Sequence, residues 1–396
     1  KIVIAMYCLT SEKIVKSLKQ AADAGAEITI IADWGQVKHA SSRIPELAAY
    51  STNIKVFVVA SKTMHLKVMH VEYNDGSTAV LSGSFNYSKS ATSHEEEITR
   101  NDDPIYCKNM LKRLCVLVTK KTAKPFDRDA LEKYKARRES ADSDVVVVAS
   151  SFKGAFSPTR HPRPAPTKPS PSSLPSGPLD ASPIPLARAA VLLAQTSLEH
   201  DLITYIRNAK KINIVMYSFS SSGMADELIA AHEAGTPVFI IADRLQSLGL
   251  TSQIERLRAS GIPIFRNKSD MIHCKCFIIE SKDEEKMVIS GSANVSSRVY
   301  DGHNIEQSSC LVGEEVYAKF MQLHDAILKE AEPLRDPIEL RTPTLTAARA
   351  PEEMSAAHTL TPLADATNTP LARTRKVGSK GALTYDTSKI SCIVKP

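Results

Sequence analysis

The sequence predicts an α/β protein made of two duplicated α/β/α sandwich halves that pack as a pseudo-dimer around one shared site. Three observations carry this. Segments of the first 125 residues recur in the same order after residue 189. Within each copy, apolar strand-like runs alternate with helical patterns. A proline-rich stretch lies between the copies.

The recurrence decides the fold, so it comes first. KIVIAMYCLT at Lys1 matches KINIVMYSFS at Lys211. AADAGAEITIIADWGQ (Ala21–Gln36) matches AAHEAGTPVFIIADRLQ (Ala230–Gln246), which pairs Asp33 with Asp243. MHLKVMHVE at Met64 matches IHCKCFIIE at Ile272, and LSGSFN ending at Asn86 matches ISGSAN ending at Asn294. Each half opens on an apolar strand (Ile2–Tyr7, Ile212–Tyr217). A helix follows with apolar residues three and four apart (Ile14, Leu18, Ala21, Ala22), closed at Gly25 and Gly235. A β-branched strand ends at Asp33 or Asp243, which read as helix caps or turn formers. Two strands then join through a polar turn, Asn74-Asp75-Gly76 or Ser281–Lys286.

The spacing also predicts a helix over roughly Ala190–Lys210 that has no first-half counterpart, and a helix over Asp129–Arg138. The predicted domains are residues 1–125 and 189–335. The stretch 126–188, with its prolines over Ser157–Pro185, reads as a helix and a disordered linker; 336–396 reads as a disordered tail. The chain opens at Lys1 inside an apolar run, which predicts a first half whose beginning is missing or was removed.

With 396 residues, 43% apolar and 24% charged, the chain supports two full cores. No run approaches the roughly 18 apolar residues of a membrane span. The net charge of +6 is too mild to argue nucleic-acid binding by itself. The seven cysteines are scattered, without a C-x-x-C pair, which disfavours a disulfide framework and a zinc module and fits a reducing compartment. That usage suggests a cytoplasmic or peripheral-membrane protein; no targeting signal is readable.

The chemistry lies in the hairpin. Alternate strand residues share a face, so His65 and Lys67 point one way and Leu66 and Val68 the other. His273 and Lys275 repeat this, with Cys274 and Cys276 on the apolar side as core filler. Ser84 and Asn86, and Ser292 and Asn294, share a face on the following strand, after Gly83 and Gly291, where something must approach closely. One such His is most often a hydrogen-bonded structural residue. Two copies at matching points of a duplication predict one joint active site. Two imidazoles can divide nucleophile and acid roles, while the lysines, serines and asparagines supply donors around a phosphoryl group. His70 is expected to face away from Lys67, and packing is the simpler role for Trp34 and Tyr87.

The pattern His65-x-Lys67 … Gly83-Ser84-x-Asn86, repeated as His273-x-Lys275 … Gly291-Ser292-x-Asn294, resembles the H-x-K-x4-D motif of the phospholipase D superfamily. The compact halves are most similar to its small members, the bacterial endonuclease and mitochondrial cardiolipin hydrolase group. The resemblance implies a mixed sheet flanked by helices, and a phosphohistidine mechanism without cofactor or metal, with His65 as nucleophile and His273 as acid. It implies that Lys67, Lys275, Asn86 and Asn294 hold the phosphate, with Ser84 and Ser292 beside them. It further implies a histidine-orienting glutamate, placed at Glu97 and Glu306, with Glu96 the neighbour that a one-residue difference leaves open. The acid of the motif is Glu72 and Glu280 here, longer by one methylene in both copies, so activity is expected to survive. A phospholipid substrate, phosphatidyl head group or cardiolipin, reached by peripheral membrane contact, is favoured, because the second half is acidic and aromatics are only 6%, against the continuous basic groove with stacking aromatics that a nuclease calls for. A metal-independent nuclease acting on DNA or RNA is the alternative, and a non-catalytic scaffold the third reading. Apolar or basic loops for a membrane are expected at Thr92–His94 and Arg298–Gly302. The site is built within one chain, so a monomer suffices.

Overall fold

The computed structural model describes residues 1–137, 189–334, 385–386 and 390–394. The proline-rich stretch 157–185 and nearly all of the tail lie outside them.

The first half starts with β1 (Ile2–Met6), α1 (Glu12–Asp23), β2 (Ile28–Asp33), α2 (Trp34–Val37), α3 (Ile44–Tyr50) and β3 (Ile54–Val59). Parallel β1, β2 and β3 need helical crossovers, and α1 and α3 supply them. The apolar face of α1 buries Val15, Leu18 and Ala22, and Gly25 ends it at a positive φ of 89°. The chain then turns back through β4 (Thr63–Met64), β5 (Lys67–Glu72), β6 (Thr78–Gly83) and β7 (Glu97–Asn101), with β5 antiparallel beside β1. The long α4 (Pro104–Thr119) begins with Pro104 and is capped by the Asp103 carboxylate, which accepts from Tyr106 N. β8 (Ala123–Pro125) closes this sheet beside β3, and helix α5 covers 128–137.

The second half repeats the plan: β9 (Ala189–Leu193), α6 (Leu198–Arg207), β10 (Ala209–Met216), α7 (Ser222–Glu233), β11 (Val238–Ala242), α8 (Arg244–Ser247), α9 (Ile254–Ala259) and β12 (Ile264–Asn267). β13 (Lys275–Ser281), β14 (Lys286–Gly291), α10 (Ser297–Tyr300), β15 (Asn304–Ile305), β16 (Ser308–Val312), α11 (Glu314–Lys329) and β17 (Ala331–Pro333) complete it. The helix expected over Ala190–Lys210 is thus corrected. Its first part is strand β9, antiparallel to β16, because the open edge of β16 satisfies its backbone groups. The tail reading is corrected at two short segments, β18 (Tyr385–Asp386), paired with β9, and β19 (Ile390–Val394), paired with β7.

Both sheets are mixed, and their inner faces meet. Leu66, Val68 and Val80 of the first half and Cys274, Cys276 and Ile278 of the second share one core with α4 (Tyr106, Met110, Leu114) and α11 (Phe320, Leu323, Ile327). Each outer face carries its own helices and its own core. His70 is buried on the inner-facing set with Val68, opposite to Lys67. Polar ties cross the seam. Arg113 of α4 donates to Leu193 O (3.1 Å) and Glu306 O (2.6 Å), and Tyr106 Oη pairs with Ser309 Oγ at 2.7 Å. Removing Arg113 leaves two carbonyls without their charged donor. Arg113→Ala is expected to lower unfolding free energy by about 2–3 kcal/mol, read by chemical denaturation.

Candidate active site

Each motif histidine is positioned by both halves. β4 runs parallel to β15, pairing Thr63 with Asn304 and Met64 with Ile305, and His65 N donates to Ile305 O at 3.0 Å. The pseudo-equivalent tie pairs Ile272 with Glu95, and His273 N donates to Glu95 O at 2.8 Å. The residue before each histidine is held from its own half. Asp33 Oδ2 accepts from Met64 N (3.0 Å) and Asp243 Oδ2 from Ile272 N (3.2 Å). The second oxygen of each aspartate caps the short helix that follows, α2 or α8. They are caps, and they also fix the chain entering the histidine.

The carboxylates on the imidazoles come from the opposite half. His65 Nδ1 lies 3.0 Å from both Glu306 oxygens, and His273 Nδ1 lies 2.8 and 2.9 Å from those of Glu96. With Nδ1 donating to a carboxylate, Nε2 of each neutral ring keeps its lone pair. The partner of His273 is therefore Glu96 and not Glu97. Glu97 is fully buried, and its side chain accepts from Ser290 Oγ at 3.2 Å across the seam. Gln307 holds the pseudo-equivalent position, with its backbone N–H on Ser292 Oγ as that of Glu97 is on Ser84 Oγ.

The motif serines serve these carboxylates. Ser292 Oγ donates to Glu306 Oε2 at 2.5 Å; Ser84 Oγ lies 2.5 Å from Glu96 Oε2 and 2.6 Å from Glu97 Oε2. Both serines are fully buried, so the expectation that they bind substrate phosphate is corrected. They stand behind the imidazoles. The glycine before each lets the glutamate strand approach: a Cβ on Gly83 would sit 2.1 Å from Glu97 O, and one on Gly291 2.1 Å from Gln307 O.

Lys67 and Lys275 lie buried, each donating to the carbonyl of its own motif histidine, His65 at 2.8 Å and His273. Lys67 Nζ sits 5.2 Å over the Tyr7 ring and Lys275 Nζ 4.9 Å over Tyr217. The same tyrosines meet the imidazoles edge-on, at 4.8 Å for His65 and 4.9 Å for His273. Asn86 and Asn294 each carry a buried Oδ1 without a partner among the described residues. Glu72 and Glu280 lie at the far ends of β5 and β13. Glu72 is exposed, and Glu280 forms a surface ion pair with Lys210 at 3.1 Å. Neither reaches the imidazoles, which fits a structural part for that position. Thr92, Ser93 and the basic Arg298 stand exposed near the motifs.

Burial governs the protonation states. It lowers Lys67 to about 7, with Glu306 opposing and Lys275 adding to the shift. It raises Glu96 to about 8 and Glu97 also upward, against the Ser84 hydrogen bond. It drives both histidines down, with the neighbouring lysines adding to this. The free site therefore favours neutral imidazoles.

A family model described as "Cardiolipin synthase, PLD-like domain" matches residues 1–103 and 202–328. The chain belongs to the phospholipase D superfamily. Phosphatidylserine synthase of Haemophilus influenzae Rd KW20 matches with TM-score 0.58 and 12% identity over 86% of this chain and 83% of that one, a likeness of fold. Nuc of Salmonella typhimurium (19% identity, TM-score 0.32) covers 37% of this chain and 97% of its own, and NucT of Helicobacter pylori (22%, 0.34) covers 37% and 98%. A search among curated proteins returns no match. The superfamily holds phosphodiesterases and transferases with lipid and nucleic-acid members.

Several residues around this phospholipase D-like centre escaped the sequence reading. Tyr7 and Tyr217 sit at matching points of the recurring KIVIAMY/KINIVMY segments, a signal that was present. Gln195, which accepts from Glu306 N at 3.1 Å, and Arg113 have no counterpart in the repeat and left none. Among the described residues, no group of His, Cys, Asp and Glu is arranged to hold a metal, and no helix is long and apolar enough to cross a membrane.

Proposed function

We propose that the chain cleaves phosphodiesters through a phosphohistidine on His65, with a phospholipid as substrate. What supports the catalytic reading is the pairing of each imidazole with a carboxylate from the other half, which leaves two Nε2 atoms for one phosphate. His65 Nε2 attacks phosphorus, the bond to the leaving oxygen breaks, and His273, which takes up a proton at Nε2 as the phosphate anion enters, supplies it to that oxygen. Water then attacks phosphorus, His273 removes its proton, and the nitrogen–phosphorus bond to His65 breaks. An alcohol in place of water gives transfer instead of hydrolysis. Lys67, Lys275, Asn86 and Asn294 hold the non-bridging oxygens. The unpartnered amide positions suit this, because a flipped amide places Nδ2 there.

The assignment of His273 as the acid rests on an asymmetry. The single Ser84 hydroxyl proton cannot serve two carboxylates, so one carboxyl keeps its own proton; we assign it to Glu97, the more deeply buried of the two, which then donates to Ser84 while Ser84 donates to Glu96. A proton is thus stored behind His273. Gln307 stores none behind His65.

One observation favours lipid over nucleic acid. Leu245, Leu248 and Leu250, each at least 66% exposed, project from α8 and the loop after it. That segment follows Asp243, whose carboxylate holds the residue before His273, so the leucines lie at the active-site end of the sheet. Apolar side chains at a rim suit insertion among lipid head groups. Replacing all three by Asp is expected to cut hydrolysis of vesicle phosphatidylcholine or cardiolipin at least tenfold and to leave cleavage of a soluble p-nitrophenyl phosphodiester within twofold. In parallel, the protein with chelator receives labelled phosphatidylcholine, cardiolipin, single-stranded DNA and RNA. Cleavage of nucleic acid alone overturns the lipid reading.

A further inference from the structure

Each histidine-orienting carboxylate has a second contact, and it differs between the two copies. Glu306 Oε1 accepts from Asn304 Nδ2 at 3.1 Å, besides facing His65 Nδ1 at 3.0 Å. Glu96 Oε1 faces His273 Nδ1 at 2.9 Å and, at 4.0 Å, Nδ1 of His94. The two positions are pseudo-equivalent. Glu95 bridges to Ile272 as Ile305 pairs with Met64, so His94 and Asn304 each stand two residues before their glutamate. The residue after the glutamate changes as well, Glu97 in the first half and Gln307 in the second. One half thus carries an imidazole and a carboxyl where the other carries two amides.

The double exchange has an electrostatic reason. Gln307 does not titrate, so Glu306 shares no proton with its neighbour. Glu96 and Glu97 meet on one serine hydroxyl, 2.5 and 2.6 Å away, and hold one proton between them. Ser84 can pass its own proton to Glu96 Oε2 while taking that of Glu97, so the surrounding charges decide where the proton rests. Lys275 acts on both carboxylates, and Lys67 and the His273 hydrogen bond act on Glu96. Ser84 takes Oε2 of Glu96, and His94 approaches Oε1. His94 is partly exposed and can exchange protons with solvent, whereas both carboxylates are buried.

We propose that His94 is a positioning residue for the acid half: as an imidazolium it keeps the charge on Glu96 and the stored proton on Glu97. It acts on His273 through Glu96, because the ionised carboxylate holds the imidazolium that His273 becomes. Asn304 gives Glu306 a neutral donor, which suffices where no second carboxyl competes. The kinetic part of the test rests on the phosphohistidine reading above; the structural part does not.

The structural part needs no turnover. With isotope-labelled histidine in the full chain, the His94 ring signal is assigned by its loss in His94→Asn, and its titration is followed by NMR. An ionised Glu96 favours the His94 imidazolium, so Glu96→Gln is expected to lower the His94 pKa by about one pH unit. The kinetic part is the pH dependence of kcat on a soluble p-nitrophenyl phosphodiester. Burial drives both histidines down and Glu96 up, so the acid limb reports Glu96. His94→Asn copies Asn304 and keeps a donor without the charge. Its kcat at the optimum is expected within about threefold of the parent, with the acid limb displaced upward by about half a pH unit. Adding Glu97→Gln copies Gln307, removes the competing carboxyl and should return the limb. A His94 titration indifferent to Glu96→Gln overturns the proposal. So does an acid limb that stays put in His94→Asn, or one that Glu97→Gln does not return; a side chain that only fills space would move neither readout. A chain that cleaves nothing fails the reading of function instead, and the NMR titration still decides for or against His94.

Discussion

Alanine at His65 is expected to abolish turnover of a phosphodiester with a poor leaving group, and so is alanine at His273, each by about a thousandfold or more. The two variants should fail at different steps. A p-nitrophenolate leaves without protonation, so His273→Ala should still form the nitrogen–phosphorus bond and release one equivalent of p-nitrophenol in a burst. It lacks the base for the second step, and the phosphoenzyme should accumulate, stable in alkali and lost in acid. His65→Ala should show neither burst nor phosphoenzyme. A burst in His65→Ala and none in His273→Ala would exchange the roles. Cleavage surviving in both variants would sink the mechanism.

The duplication made the histidines, the lysines and the mixed fold legible, because each motif recurred on a strand where alternation fixes the face. Legibility stopped where the strands stopped. β6 ends at Gly83 and β7 begins at Glu97, so alternation could not say where Ser84 or Glu96 point. Spacing did not help either. The loop before the glutamate is a single 3-10 turn (Ser90–Ser93) in the first half and the α-turn α10 in the second, and Glu95, Glu96 and Glu97 stand in a row. The choice among them is made by a long-range contact, the bridge of Glu95 to Ile272 in the other half. β9 was hidden for a different reason. Its Ala- and Leu-rich sequence has helical propensity, and only the free edge of β16 makes it a strand. The rim leucines carry no periodic signal, and their exposure belongs to the tertiary fold.

Glutamine at Glu96 and glutamine at Glu97 should separate the two carboxylates by function. Glu96→Gln keeps an oxygen for His273 Nδ1–H and removes the charge that stabilises the imidazolium. A charge-assisted hydrogen bond gives way to a neutral one of about half the strength, so a kcat loss of about a hundredfold is expected, with KM little changed. Glu97→Gln imitates the protonated acid, as Gln307 does in the other half, so kcat at the optimum should fall by less than about tenfold. The pH dependence of stability should distinguish it further. Burial raises the Glu97 carboxyl above its unfolded value. The folded protein thus binds more protons than the unfolded chain above the ordinary carboxylate range, and the Glu97 contribution is present in acid and lost as pH rises. Glutamine does not titrate. Measured by urea denaturation between about pH 5 and 8, Glu97→Gln should gain stability relative to the parent as pH increases. The opposite slope would mean that Glu97 is ionised in the folded state, and the proton store behind His273 would not exist.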